Sequence, residues 1–94
     1  MASIHIREIR LDNSHVRLEV DGVLHLESVS ILRQVCENYL VNGKKLALDL
    51  AGLTHVTREG RNYLGEIRQE VTLVNLPSFV AFGREPVGKG PSSP

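Results

Sequence analysis

No tryptophan occurs in this chain, and only two tyrosines and two phenylalanines stand among its 94 residues. Base-stacking surfaces and aromatic-lined ligand pockets need more rings than this, so neither is expected. Cysteine occurs once, as Cys36, which excludes a disulfide framework and suits a reducing compartment. An excess of either charge is also missing: 11 basic and 11 acidic residues are mixed along the chain, with no basic stripe. Nucleic acid and anionic membranes are therefore not expected as partners. No apolar run approaches the roughly 20 residues of a spanning helix, so no membrane span is expected. Charge comes too early in residues 1–10 for a signal peptide, and a cytoplasmic location is expected.

What is present is enough for one domain with one modest core. The chain is organised around residues 44–69. Leu46-Ala47-Leu48-Asp49-Leu50 is apolar but for one residue and reads as a strand covered on both faces. Residues 51–56 read as a short connection. Thr57 suits a helix N-cap, with Glu59 in the first turn, and Gly60, Leu64, Ile67 and Val71 recur at helical spacing. Chemistry or recognition would sit at this junction, where a helix N-terminus meets the carboxyl edge of the sheet.

Upstream, residues 3–11 read as a strand whose apolar parity changes between Ile6 and Ile9. A bulge near Arg7-Glu8 is therefore expected. After the turn Asp12-Asn13-Ser14, Val16, Leu18 and Val20 alternate with Arg17, Glu19 and Asp21, giving a half-buried strand and a hairpin. Ser28 is the expected N-cap of a helix carrying Val29, Leu32, Val35, Cys36, Tyr39 and Leu40, ended by Asn42-Gly43. A second helix is expected over 58–70 and a fourth strand over 71–76. The predicted architecture is α/β: a four-stranded mixed sheet formed by an antiparallel hairpin and then β-α-β-α-β. Both helices would pack on one face, leaving the other open or covered by a partner. The domain is expected to span 1–82, with a disordered Gly/Pro/Ser tail over 83–94.

Few groups offer chemistry. Gly83 to Lys89 has phosphate-loop spacing, but Gly90 stands where Ser or Thr should ligate magnesium and no helix follows. His25 and His55 follow strands that end on one edge. With Glu59 they could supply ligands, yet close-spaced ligand pairs are missing, and no metal or other cofactor is expected. Cys36 lies on an apolar helical stripe, where a thiol is usually inert. Asp49 and Glu59 are the one candidate carboxylate pair, Asp49 more naturally fixing the strand end. No nucleophile, base and orienting group can be assembled, so no enzyme is expected. Gly60 inside a first helical turn costs about 1 kcal/mol against alanine, which points to close approach of another backbone, a partner's being one source.

The segments VRLEVDG at 16–22 and LALDLAGLTHVTREG at 46–60 resemble the STAS domain. That is the fold of bacterial anti-sigma factor antagonists and of anion-transporter cytoplasmic tails. The resemblance covers residues 4–76. The family pattern is a strand ending Leu-Asp-Leu-Ser-Gly-Val, then Asp-Ser-Ser-Gly opening a helix. Here Thr57 takes the acidic position, Arg58 the first serine, and Glu59 the serine that a partner kinase phosphorylates. No hydroxyl remains at that switch position, and Glu59 carries one negative charge where phosphoserine carries about −1.5 to −2. The resemblance implies a protein-binding regulator of transcription signalling. Its contact surface would comprise Thr57, Arg58, Glu59, Gly60, Arg61, Asn62, His25, His55 and Asp49. Expected partners are an anti-sigma factor, a kinase-like protein or a larger complex, with a homodimer as one way to cover exposed surface. The alternative is a sensor binding a nucleotide or small anion at the helix N-terminus.

Overall fold

The structure, a computed structural model, describes residues 4–80. The 83–94 tail and the Gly83 to Lys89 spacing lie outside the described residues. Six elements follow one another: β1 (Ile4–Arg10), β2 (His15–Leu24), α1 (Leu26–Val41), β3 (Lys45–Val56), α2 (Arg58–Ile67) and β4 (Thr72–Val74). They form one four-stranded sheet in the order β1-β2-β3-β4, with β1 antiparallel to β2 and the other pairs parallel. This is the mixed α/β sheet with two helices that the alternation of strand and helix patterns predicts.

Sequence parity decides which face is covered. Val16, Leu18 and Val20 of β2 and Leu46, Leu48 and Leu50 of β3 are buried. Val29, Leu32 and Cys36 of α1 and Tyr63, Leu64 and Ile67 of α2 complete the same core. The intervening residues share the other face: Arg7 opposite Glu19, Arg17 opposite Ala47, and Glu19 opposite Asp49. That face is held by charge. Arg7 pairs with Glu19 at 3.5 Å, Arg17 lies 3.9 Å from Glu19, and Arg17 also pairs with Asp49.

Several expectations need correction. β3 runs on to Val56, so residues 51–56 are strand, kept in the sheet by pairing of Gly52, Leu53, His55 and Val56 with β2. Between β1 and β2 the register is unbroken, and the bulge expected near Arg7-Glu8 is absent. The parity change is accommodated by side-chain chemistry instead. Ile9 lies opposite Arg17 on the charged face, while Glu8 accepts a hydrogen bond from the Tyr39 hydroxyl of α1. The irregularities fall between β2 and β3, after Glu19 and after Gly22, whose φ is 103°. There the Asp21 carboxylate occupies the space a side chain at Gly52 would need.

α1 begins earlier than Ser28. β2 extends to Leu24, which puts His25 at the break, and its Nδ1 accepts the backbone N–H groups of Glu27 (3.1 Å) and Ser28 (3.4 Å). Ser28 is buried and donates back to the Val23 carbonyl at 2.8 Å. At the other end Gly43 takes φ 76°, and the N–H groups of Gly43 and Lys44 reach the carbonyls of Leu40 and Tyr39, both at 3.0 Å. This is the paired arrangement that glycine after a helix permits. α2 stops at Ile67 rather than continuing to residue 70. β4 is only Thr72–Val74 because Asn75, at φ 54°, turns the chain out of the sheet.

Candidate functional site

β2 and β3 end together, Leu24 opposite Val56, so both helices start side by side at one edge of the sheet. Thr57 caps α2: its hydroxyl accepts the Gly60 N–H at 3.3 Å and donates to the Leu24 carbonyl at 3.3 Å. The Thr57 N–H reaches that same carbonyl at 2.9 Å. One oxygen at the end of β2 therefore stitches the start of α2 to the sheet.

This contact explains Gly60. A β-carbon there would lie 2.5 Å from the Leu24 carbonyl oxygen, far inside van der Waals contact. The close backbone approach that the sequence indicates is the chain's own, not a partner's. Gly60 is buried and shapes the tip without being part of its surface.

Around it, Arg58, Glu59 and Asn62 are exposed and Arg61 is half-buried. Glu59 is held below the ordinary carboxylate range chiefly by its own backbone N–H, with Arg58 adding a smaller attraction. Its carboxylate thus sits in the positive field of the helix start as a fixed negative charge. His55 is exposed near the end of β3, and His25 caps the neighbouring helix. Among the described residues, no group of three or more His, Cys, Asp or Glu side chains is placed to hold a metal ion.

Asp49 stands apart from this cluster. It lies on the charged face, eight residues before Thr57, which is about 25 Å along a strand. Its side chain accepts from Asn75 Nδ2 (3.1 Å), the Ala51 N–H (3.1 Å) and Arg17. These three donors, Asn75 first, hold its carboxyl below the usual value of 3.8. A buried carboxylate satisfied by three donors fixes structure, and here it ties β2, β3 and the exit from β4 together.

Two features of the edge are not marked by the sequence pattern. Leu26 is 64% exposed beside the His25 cap, and Glu27 joins it in the first turn of α1. Placing the helix start at Ser28 hides both. The signal that could reveal them is an apolar residue standing between a strand end and an acidic first turn.

Cys36 is buried, and burial pushes its thiol above the ordinary value, as for an inert core cysteine. Tyr63 packs with it between the helices, under the Arg33 guanidinium at 4.8 Å from the ring centre. Burial pushes the Tyr63 hydroxyl upward too, and the neighbouring Cys36 thiol adds to that shift.

No family model matches the chain, and no curated protein does. Among solved structures, it is similar to an uncharacterized protein of the DUF3478 family from Shewanella loihica PV-4, described as having a SpoIIAA-like fold. The two share 13% sequence identity and a TM-score of 0.57, over 82% of this chain and 70% of the other. Strand order, crossover pattern and this likeness agree: the chain has the SpoIIAA-like, that is STAS-like, α/β fold.

Proposed function

We propose that this chain is a non-enzymatic protein-interaction domain of the anti-sigma-factor-antagonist type, working in a bacterial cytoplasm. In it Glu59 replaces a phosphorylatable serine. One observation carries the reading. The exposed first turn of α2 holds a fixed carboxylate, flanked by Arg58 and Asn62 and adjoining Leu26 and His25 at the start of α1. Charged and apolar groups side by side on a rigid edge suit a protein contact. The partner would be an anti-sigma factor, a kinase-like protein or a subunit of a larger complex. Because Glu59 cannot gain or lose phosphate, its signal would be constant, and regulation would come from the partner's supply.

The competing reading, a nucleotide or small anion at the same helix tip, has less support. Glu59 already places a carboxylate in that field, and the Thr57 hydroxyl takes the Gly60 N–H. An incoming anion would meet repulsion and one donor fewer.

The test is quantitative binding of the full chain to purified candidate anti-sigma factors and kinases. Glu59→Lys should weaken capture at least about tenfold, the scale of losing one buried charged contact, with circular dichroism unchanged. Equal capture by both proteins overturns the proposed surface. A thermal shift of the wild type with ATP, GTP, phosphate or sulfate that grows in Glu59→Lys, where the repelling carboxylate is gone, would favour the anion reading.

A further inference from the structure

The opposite end of the sheet carries a second candidate site, independent of the α2 tip. There His15 at the start of β2 faces Lys45 at the start of β3. The β1–β2 turn is tied to the segment after α1 by the Lys45 N–H on the Ser14 carbonyl (2.7 Å) and by Lys44 Nζ on the Asn13 carbonyl. Between them opens a cleft of about 410 Å³, within the size range of small-molecule sites. Arg10, Lys44, Asn13, Asn42, Tyr39 and Val16 line it.

Its lining carries two cations, Arg10 and Lys44, against the single carboxylate of Asp12. Among the described residues, neither Arg10 nor Lys44 forms an ion pair with a carboxylate. Asp12 also lines the cleft, but its carboxylate is engaged within its own turn. It accepts the N–H groups of Ser14 (2.7 Å) and His15 (2.9 Å) and contacts His15 Nδ1 at 2.9 Å. Glu8 accepts from the Tyr39 hydroxyl and keeps its charge, but it is not part of the cleft lining. The negative end of α1 is partly offset, because the N–H groups of Asn42, Gly43 and Lys44 take the Tyr39 and Leu40 carbonyls. Two cations of different geometry thus face a space larger than an inorganic ion fills. A guanidinium fork and an ammonium point charge suit a multi-oxygen dianion. The Tyr39 ring and the Val16 floor suit an organic body attached to it.

We propose that this cleft binds a small phosphate monoester, with Arg10 and Lys44 holding the phosphate and Tyr39 and Val16 carrying the organic group. The test is an amide-resolved NMR titration of the full chain with phenyl phosphate, inorganic phosphate and benzyl alcohol. Phenyl phosphate should bind most tightly and shift amides of residues 10–16 and 39–45. Arg10→Gln and Lys44→Gln should each weaken it roughly tenfold, as expected for loss of one charge-assisted contact, while Lys44→Arg retains binding. Glu59→Lys should leave it unchanged. Equal response to benzyl alcohol, shifts centred on residues 57–61, or wild-type affinity in the double Arg10→Gln, Lys44→Gln variant overturns the proposal. So does the lack of a saturable shift at about 10 mM phenyl phosphate, beyond the millimolar range of weak specific sites.

Discussion

The two faces of the sheet are built from alternate residues of the same strands, yet they are stabilised by different physics. On one, Leu18, Leu48 and Leu50 are sealed from solvent under two helices. On the other, Arg7, Arg17, Glu19 and Asp49 form a chain of ion pairs with no helix of the described residues above them. The apolar face gains from removing hydrocarbon from water, which needs a cover. The charged face can stay open, because its charges pair laterally while keeping some hydration. A charged sheet face of this kind does not by itself call for a partner.

This contrast can be broken in graded steps. Leu48→Ala on the covered face should cost about 3–4 kcal/mol, measured by urea denaturation, because it leaves a cavity under the helices. Gly60→Ala should cost about 2–3 kcal/mol, because the new methyl meets the Leu24 carbonyl and pushes α2 off the sheet. A cost below about 0.5 kcal/mol would show that the helix start can shift freely, contrary to this packing.

On the charged face, Asp49→Asn should cost about 2 kcal/mol at neutral pH through weakened contacts to Arg17 and Ala51. Its pH signature is more specific. The folded carboxyl is held below its usual 3.8, so its contribution is complete above that value and is lost as pH falls through the folded value. Wild type should therefore lose stability below about pH 4 more steeply than Asp49→Asn, read as the difference between two acid-unfolding series. Parallel curves would mean that Asp49 is not held as described. Smallest of all, Glu59→Lys at the exposed tip should leave the melting temperature nearly unchanged, since only a solvent-screened helix-dipole interaction is lost. Its effect should be on partner capture, not on melting.

Much of the fold is legible because hydrophobic period survives in the sequence. Val16, Leu18 and Val20 declare a strand face, and Val29, Leu32 and Cys36 declare a helix stripe. Thr57 and Gly43 mark helix ends through chemistry that acts within a few residues. The start of α1 is harder, because a histidine nitrogen substitutes for the usual capping oxygen. The length of β3 is harder still. Nothing in Ala51-Gly52-Leu53-Thr54-His55-Val56 alternates, and it is strand because β2 lies alongside it as far as Leu24. The tip residues 57–62 can be named as candidates from the resemblance, but only the fold separates exposed Glu59 from buried Gly60, and Asp49 from both.

By itself the sequence determined the order of elements and the split between apolar and charged strand faces. These are properties of side-chain type and local spacing, which are fixed once the chain is written. The tertiary structure alone decided that Gly60 meets Leu24, that Asp49 gathers Arg17 and Asn75, and that Arg10 and Lys44 share a cleft. Each of these contacts joins residues more than twenty positions apart, and such distances are set only when sheet and helices close on one another.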